Sequence, residues 1–238
     1  MSTSPRSNAS KPRSRMAAGL PAITSDQIVD TALTLTMEHG LENWTIRQLA
    51  SAVQAFPSVI YYHVGDREVV VNAVLERVVG MVGVPPAQLP WRDWYRVLLG
   101  ELRSVLHRYP GVARRLALDG PPASVGGLII DRGIRLLQDA GFGQESALVF
   151  NMILNMACQF VATEDDRSHR QSGRRAAAYD YAEFRDNPEL PGLAAMGSLM
   201  HDLAEHPESL AGFYAGFYDY AVERTLDGVA KRLADIRP

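Results

Sequence analysis

Several things are scarce in this chain. Cys158 is the single cysteine among 238 residues, so no intramolecular disulfide can form and a reducing, cytoplasmic setting is expected. Lysine is almost missing: Lys11 and Lys231 are the two lysines among 24 basic residues. The first residues hold no apolar stretch of the kind a secretory signal needs. Net charge is also small, at −3 from 24 basic and 27 acidic residues, which by itself does not announce a nucleic-acid partner. Gly141-Phe142-Gly143 follows a helical pattern and not a strand, so it is no dinucleotide loop. No nucleophile–base pair or carboxylate pair stands out, and the expectation is a protein that is not an enzyme.

What is present is apolar material at helical spacing. Hydrophobic residues make up 47%, enough to build a core in one or two domains. Residues 1–22 are different: they carry Arg6, Lys11, Arg13 and Arg15 with no acid, and read as a flexible basic arm or a solvated tail. Ordered structure is expected from Ile23. Thr24-Ser25-Asp26-Gln27 fits a capping box, with Ile23 and Ile28 as a hydrophobic staple. The same signal returns in Thr45-Ile46-Arg47-Gln48, with Trp44 and Leu49 as the staple. Pro57 suits the first position of a third helix, to about Val64, and Asp66 an N-cap for a fourth. The valine-rich run from Val69 to Val84 is expected to be helical, with Val70, Val74, Val78 and Met81 on one face.

Two short helices after a longer one is the layout of a helix-turn-helix DNA reader. Ile46, Leu49, Ala50, Val53 and Ile60 would make its small core. Ser58, Tyr61, Tyr62 and His63 remain able to face DNA. Thr45-Ile46-Arg47-Gln48-Leu49-Ala50, then Ile60-Tyr61-Tyr62-His63-Val64, then Asp66-Arg67-Glu68, resemble the DNA-binding domain of the TetR family of bacterial repressors. The stretches Trp91 to Tyr109 and Phe213 to Leu233 resemble the tetracycline-repressor branch of that family. The resemblance implies that Arg47 contacts a base or phosphate, that Pro57, Ser58, Tyr62 and His63 line the major groove, and that Tyr61 and Arg67 reach phosphates. It departs from the family pattern at Gln54 (a turn glycine is usual), at Val59 (a hydroxyl residue is usual) and at Phe56 (a polar cap is usual).

Residues 23–80 carry three arginines against seven acids, a net charge of −4, whereas residues 1–22 carry +4. Phosphate binding needs cations, so the arm is expected to supply them, entering the flanking minor groove.

Beyond residue 80 the rhythm stays helical and no strand is expected, so the fold class is all-α: 1–22 arm, 23–80 helix-turn-helix domain, 81–238 helical ligand-binding and dimerisation domain. The run 146–163 is apolar on most faces, yet short for a membrane span. Asn151, Asn155 and Gln159 share one face of it, and could line a pocket, cross a dimer seam or form a solvated stripe. Trp94, Tyr95, Leu98, Leu102, Ile129 and Met152 are the other pocket candidates. Phe213, Gly216 and Phe217 on the last helix suit a symmetric dimer interface. His201-Asp202 and Glu205-His206 lack a fixed fourth ligand, and Arg167, Arg170, Arg174 and Arg175 read as a solvated loop. No cofactor or metal is expected. The expected function is a homodimeric repressor of a palindromic DNA operator, released by a small-molecule effector. The alternative is a helical small-molecule binder with weakened DNA recognition.

Overall fold

The computed structural model describes residues 22–169 and 180–236. All of the expected arm but Ala22 lies outside them, as do Arg170, Arg174 and Arg175. The described residues form helices and no strand.

Helix α1 spans Ser25–His39, α2 Ile46–Ala52, α3 Pro57–His63 and α4 Arg67–Val79. Both capping boxes form: the Thr24 hydroxyl accepts from the Gln27 amide, and the Thr45 hydroxyl from that of Gln48, each at N3. Each glutamine carbonyl in turn accepts the cap residue's own amide. The staples are buried as well, with Ile28 and Leu49 fully enclosed. Trp44 is anchored by its indole N–H, which donates to Thr36 at 3.0 Å. In α4 the branched residues Val70, Val71, Val74 and Val78 are all fully buried. Tertiary burial of one face thus overrides their strand propensity. The helix stops at Val79, earlier than expected. Met81 therefore turns outward, 39% exposed, and does not continue the buried face.

The remaining helices are α5 Trp91–Leu106, α6 Val112–Asp119, α7 Ala123–Ala140, α8 Ser146–His169, α9 Pro191–Glu205 and α10 Leu210–Ile236. Helix α5 is the core rod: Trp94, Tyr95, Leu98, Leu99, Leu102, Val105 and Leu106 are all buried. Helix α8 packs on α5, α6, α7 and α10. Burial of one such large apolar side chain stabilises the fold by about 1.5–3 kcal/mol.

Helix α8 is longer than the sequence pattern suggests, and Arg167 belongs to it and not to a loop. The three acids after Thr163 are tied to neighbouring helices or to the turn before α6. Glu164 pairs with Arg103 at 3.0 Å and lies 3.1 Å from the His107 imidazole. Asp165 accepts the Gly111 amide at 2.9 Å, and Asp166 meets Arg114 at 3.1 Å. The stretch Gly143–Arg167 is long and apolar enough by length and composition to cross a membrane, with mean hydropathy 1.4. Here its apolar side, Ile153, Ala157, Cys158 and Val161, is buried against neighbouring helices.

Candidate functional site

Two places bring expected site residues together. The first is the outer side of α3. Ile60 is fully buried and anchors the helix. At 100° per residue, Ser58 and Tyr62 then point away from the core, flanked by Val59 and Tyr61. Tyr61 and Tyr62 are 55% and 85% exposed, and Ser58 and His63 are exposed beside them. The rings of Tyr62 and His63 meet edge to face, 5.1 Å apart. Pro57 occupies the first turn of α3, and Arg47 is exposed at the start of α2. Of the expected DNA-facing set, Ser58, Tyr61, Tyr62 and His63 on α3 and Arg47 on α2 are exposed, and Pro57 is half-buried.

Arg67 is the remaining member of the set. Its guanidinium folds back onto the α1–α2 loop, donating to the Leu41 carbonyl at 2.8 Å and pairing with Glu42 at 3.2 Å. It also lies 5.0 Å from the centre of the Trp44 ring. These contacts hold the N-terminus of α4 against the loop. The side chain expected to reach a phosphate thus braces the loop in this structure through its Nε and Nη2 groups.

The three departures have visible consequences. Gln54 takes φ 54°, the left-handed region that glycine occupies without strain. Phe56 sits at the N-cap of α3, makes no capping hydrogen bond and is 77% exposed. Val59 is half-buried against the core.

The second place is a cavity enclosed by α4 to α8. Its lining is wholly apolar: Leu98 and Leu102 from α5, Leu116 from α6, Ile129 and Ile130 from α7, Phe150 and Leu154 from α8, closed by Val79, Val82, Pro121 and Gly126. Its free space is small, about 30 Å³. Typical ligand sites hold roughly 300–1,000 Å³. Leu98, Leu102 and Ile129 thus line the cavity. Trp94 is plain core, its indole N–H donating to the Pro85 carbonyl at 3.2 Å. Tyr95 is buried with its hydroxyl unpartnered among the described residues. The Tyr95 ring packs on Phe150, and burial pushes its phenol well above the usual range. A Cβ on Gly133 would stand 2.8 Å from Phe150 and 3.1 Å from the Tyr95 hydroxyl. Tyr95 is therefore separated from the cavity by one ring.

Met152, Asn151, Asn155 and Gln159 fall elsewhere. Met152 is 49% exposed and the three amide residues are exposed; the Asn151 amide bonds back to the Ala147 carbonyl. These four do not line the apolar cavity: the inner face of α8 is taken by Phe150, Ile153 and Ala157, so the stripe points outward, where a dimer seam or solvent would meet it. On the same side, Leu148 is 71% exposed. On α10, Phe213 and Phe217 stack with ring centres 5.8 Å apart, and Phe217 meets Phe160 at 5.1 Å. Gly216 is exposed between them. A shallow cleft of about 180 Å³ runs between the helices, with Gln159, Phe160, Tyr214 and Phe217 among its walls.

Helix α6 joins the two places. Arg115 pairs with Glu42 at 3.2 Å and Glu68 at 2.7 Å. The Leu41 amide donates to the Pro110 carbonyl at 2.8 Å, and Gly111 at φ +89° lies against Leu41. Leu116 of the same helix lines the cavity. Neither Arg115 nor most of the cavity wall was singled out by sequence. Of that wall, Leu98, Leu102 and Ile129 are the residues the sequence pattern had put forward. Among the described residues no three His, Cys, Asp or Glu side chains gather as a metal site.

A helix-turn-helix unit with an exposed reading helix, joined to a larger helical body, is the build of a DNA-binding transcriptional regulator. The comparisons with known proteins give the family. Residues 85–231 match the family described as "Tetracyclin repressor-like, C-terminal domain". A transcriptional regulator of the helix-turn-helix type from Saccharopolyspora erythraea is 32% identical over 178 residues, covering 72% of this chain and 75% of that protein. The chain belongs to the TetR family of transcriptional regulators, which are DNA-binding proteins and not enzymes. Its fold is also that of the Streptomyces coelicolor TetR family protein ActR, solved in complex with actinorhodin, with TM-score 0.67, 23% identity and coverage of 89% and 97% of the two chains. BioQ bound to its double-stranded DNA operator matches with TM-score 0.56, 20% identity and coverage of 63% and 91%.

Proposed function

We propose that this regulator is a cytoplasmic repressor that binds a palindromic operator as a homodimer and is released by an apolar small molecule. The observation that carries the reading is the link through α6, which touches the cavity with Leu116 and the reading head with Gly111 and Arg115. An effector entering so small a cavity must push its walls apart. Displacement of α6 would then shift Leu41, Glu42 and Glu68, and with them the spacing of two reading heads. The ligand acts by population shift: it favours the dimer arrangement in which the cavity is open. An uncharged, mostly apolar effector suits a wall without polar groups, and the buried Tyr95 hydroxyl offers one hydrogen bond beyond Phe150. In support, ActR, of the same fold, is described with actinorhodin bound, and BioQ with its operator.

The outward rings of α10 and the outward stripe of α8 support the dimer. Leu148 and Met152 on α8 and Phe217 and Tyr220 on α10 are large residues left exposed on two helices that pack against each other. Pairing with the same face of a second copy would cover them and form a four-helix seam. The DNA-facing residues of this reading are Arg47, Pro57, Ser58, Tyr61, Tyr62 and His63.

A gel-shift series on the DNA upstream of the protein's own gene, with and without hits from a thermal-shift ligand screen, tests the reading. A specific complex dissolved by a stabilising hit is the expected result. The lack of any specific complex at low salt would return the chain to the reading of a helical ligand binder. Deleting residues 2–20 should weaken binding and flatten its salt dependence, because the arm carries the cations that the acidic head lacks.

A further inference from the structure

We propose that the reading helix recognises thymine through its 5-methyl group, with Phe56 and the outer side of α3 as the apolar contact. The inference rests on the DNA-binding reading above.

The strongest hydrogen-bond readers of base edges are the two-point contacts of Arg or Lys with guanine and of Asn or Gln with adenine, and the carboxylates that accept from cytosine. Ser, Tyr and His hydroxyls and ring nitrogens add single bonds that discriminate less. Helix α3, with the sequence Pro57-Ser58-Val59-Ile60-Tyr61-Tyr62-His63, contains no Arg, Lys, Asn, Gln, Asp or Glu. Its outward side holds one small hydroxyl, Ser58, between Phe56, Val59 and Tyr62. Polar residues close by are engaged elsewhere. The Gln48 side chain closes the capping box with Thr45, and Arg67 is held by Leu41, Glu42 and Trp44. Arg47 is left for a guanine or a phosphate at the edge of the footprint.

Phe56 is the more telling residue. A capping position ordinarily takes Ser, Thr, Asp or Asn, and a phenyl ring there forfeits the capping bond. The ring is also 77% exposed, so it contributes little to the fold. Exposed apolar area at the leading end of a reading helix is stabilised only when another surface covers it. In the major groove the apolar group that DNA presents is the thymine methyl, and thymine alone carries it. Phe56, Val59 and Tyr62 at the groove would therefore select thymines by enclosing their methyls, and the contact would involve no charge.

The test uses the full chain. Binding duplexes are first selected from a random double-stranded library, and the selected site is resynthesised with deoxyuridine in place of each thymine in turn. Deoxyuridine keeps every hydrogen-bonding group and lacks only the methyl. The expected result is that at one or more positions in each half-site the affinity falls about fourfold per methyl removed. The slope of affinity against salt should stay unchanged, because no phosphate contact is lost. In Phe56→Ala the thymine–deoxyuridine difference should vanish at the position under the ring, with residual binding retained. Its exposed site lets this variant fold, and the wild-type comparison needs no variant at all. Full affinity with deoxyuridine at every position overturns the inference while leaving the DNA-binding reading in place. So does an unchanged thymine–deoxyuridine difference in Phe56→Ala. A selection that enriches no sequence overturns both.

Discussion

The reading head and the helical body use aromatic and apolar residues in opposite ways. In the head, Phe56, Tyr61 and Tyr62 stand in solvent on a seven-residue helix held from behind by Ile60. In the body, Trp94, Tyr95 and Phe150 are enclosed, and the small cavity beside them is lined by carbon. The head's surface is thus chemically unfinished and the body's interior is nearly closed. Under the proposed function, DNA would complete the one at its surface, and an effector would enter the other by parting its walls. Charge divides in the same manner. The head's Arg67 and Arg77 are spent on its own acids, Arg77 pairing with Asp26 at 2.7 Å and Asp30 at 3.4 Å. Arg115 of the body reaches across to the head instead.

The strongest way to break this contrast is to open the body. Phe150→Ala should cost about 3–5 kcal/mol, as large aromatic deletions in cores do, with the loss read by chemical denaturation. The enlarged cavity should then accept apolar probes such as xenon or benzene, and the reading head should keep its exposed face. An unchanged denaturation midpoint would show that Phe150 is not a cavity wall.

A smaller effect is expected at the junction. Gly111 takes φ +89°, and a Cβ there would lie 3.2 Å from that of Leu41. Gly111→Ala should cost about 1–2 kcal/mol through left-handed strain and move the loop that bears Glu42. Arg115→Ala should cost less, about 0.5–1 kcal/mol, since its partners are half-exposed. It should nonetheless reduce the difference in DNA affinity between effector-bound and free protein. Binding curves with and without effector measure that difference directly. A variant with full effector response would remove Arg115 from the coupling.

The head offers a change of opposite sign. Gln54 holds φ 54° with a side chain that disfavours it. Gln54→Gly relieves the strain but adds freedom to the unfolded chain, and the net gain should be about 1 kcal/mol or less, visible as a higher Tm. A lower Tm would mean that contacts of the glutamine side chain outweigh the strain.

The smallest effect belongs to acid. Glu223 accepts hydrogen bonds from Arg96 and Arg92, which hold its carboxyl down at about 2. A depressed carboxylate stabilises the folded state above its unfolded value near 4.5, and that share is lost as pH falls toward 2. Because the site is partly exposed, the contribution should stay below about 1 kcal/mol. Glu223→Gln should flatten the stability curve over that range and leave neutral-pH DNA binding unchanged. A steep acid limb that survives in the variant would place the effect on other carboxylates.

Legibility in sequence also differed between the regions. The head's helices start where two capping boxes and two staples put them, because capping is a matter of residues three or four apart. Its reading face followed from Ile60 alone, since one buried residue orients a short helix. In the body, Leu98, Leu102 and Ile129 were legible as inward residues. For Asn151, Asn155 and Gln159 the sequence leaves a pocket wall, a dimer seam and a solvated stripe open, and with Met152 they fall outside the wall that Phe150 and Leu154 form. A helix apolar on most faces does not reveal which face meets which neighbour. The polar end of α8 was unreadable for a related reason. Glu164 and Asp165 look like loop residues until Arg103, His107 and Gly111 arrive from distant sequence.

By itself, the sequence determined the all-α class, the helix starts, the strained turn at Gln54 and the exposed residues of α3. Each depends on contacts within one turn of helix or on the hydrophobic period. Only the tertiary structure decided that Arg67 braces the α1–α2 loop, that the amide stripe of α8 faces outward, and that Arg115 and Gly111 tie the body to the head. Those outcomes depend on pairs up to 73 positions apart, such as Arg115 with Glu42. No local pattern encodes which of several acids an arginine will meet once the helices have packed.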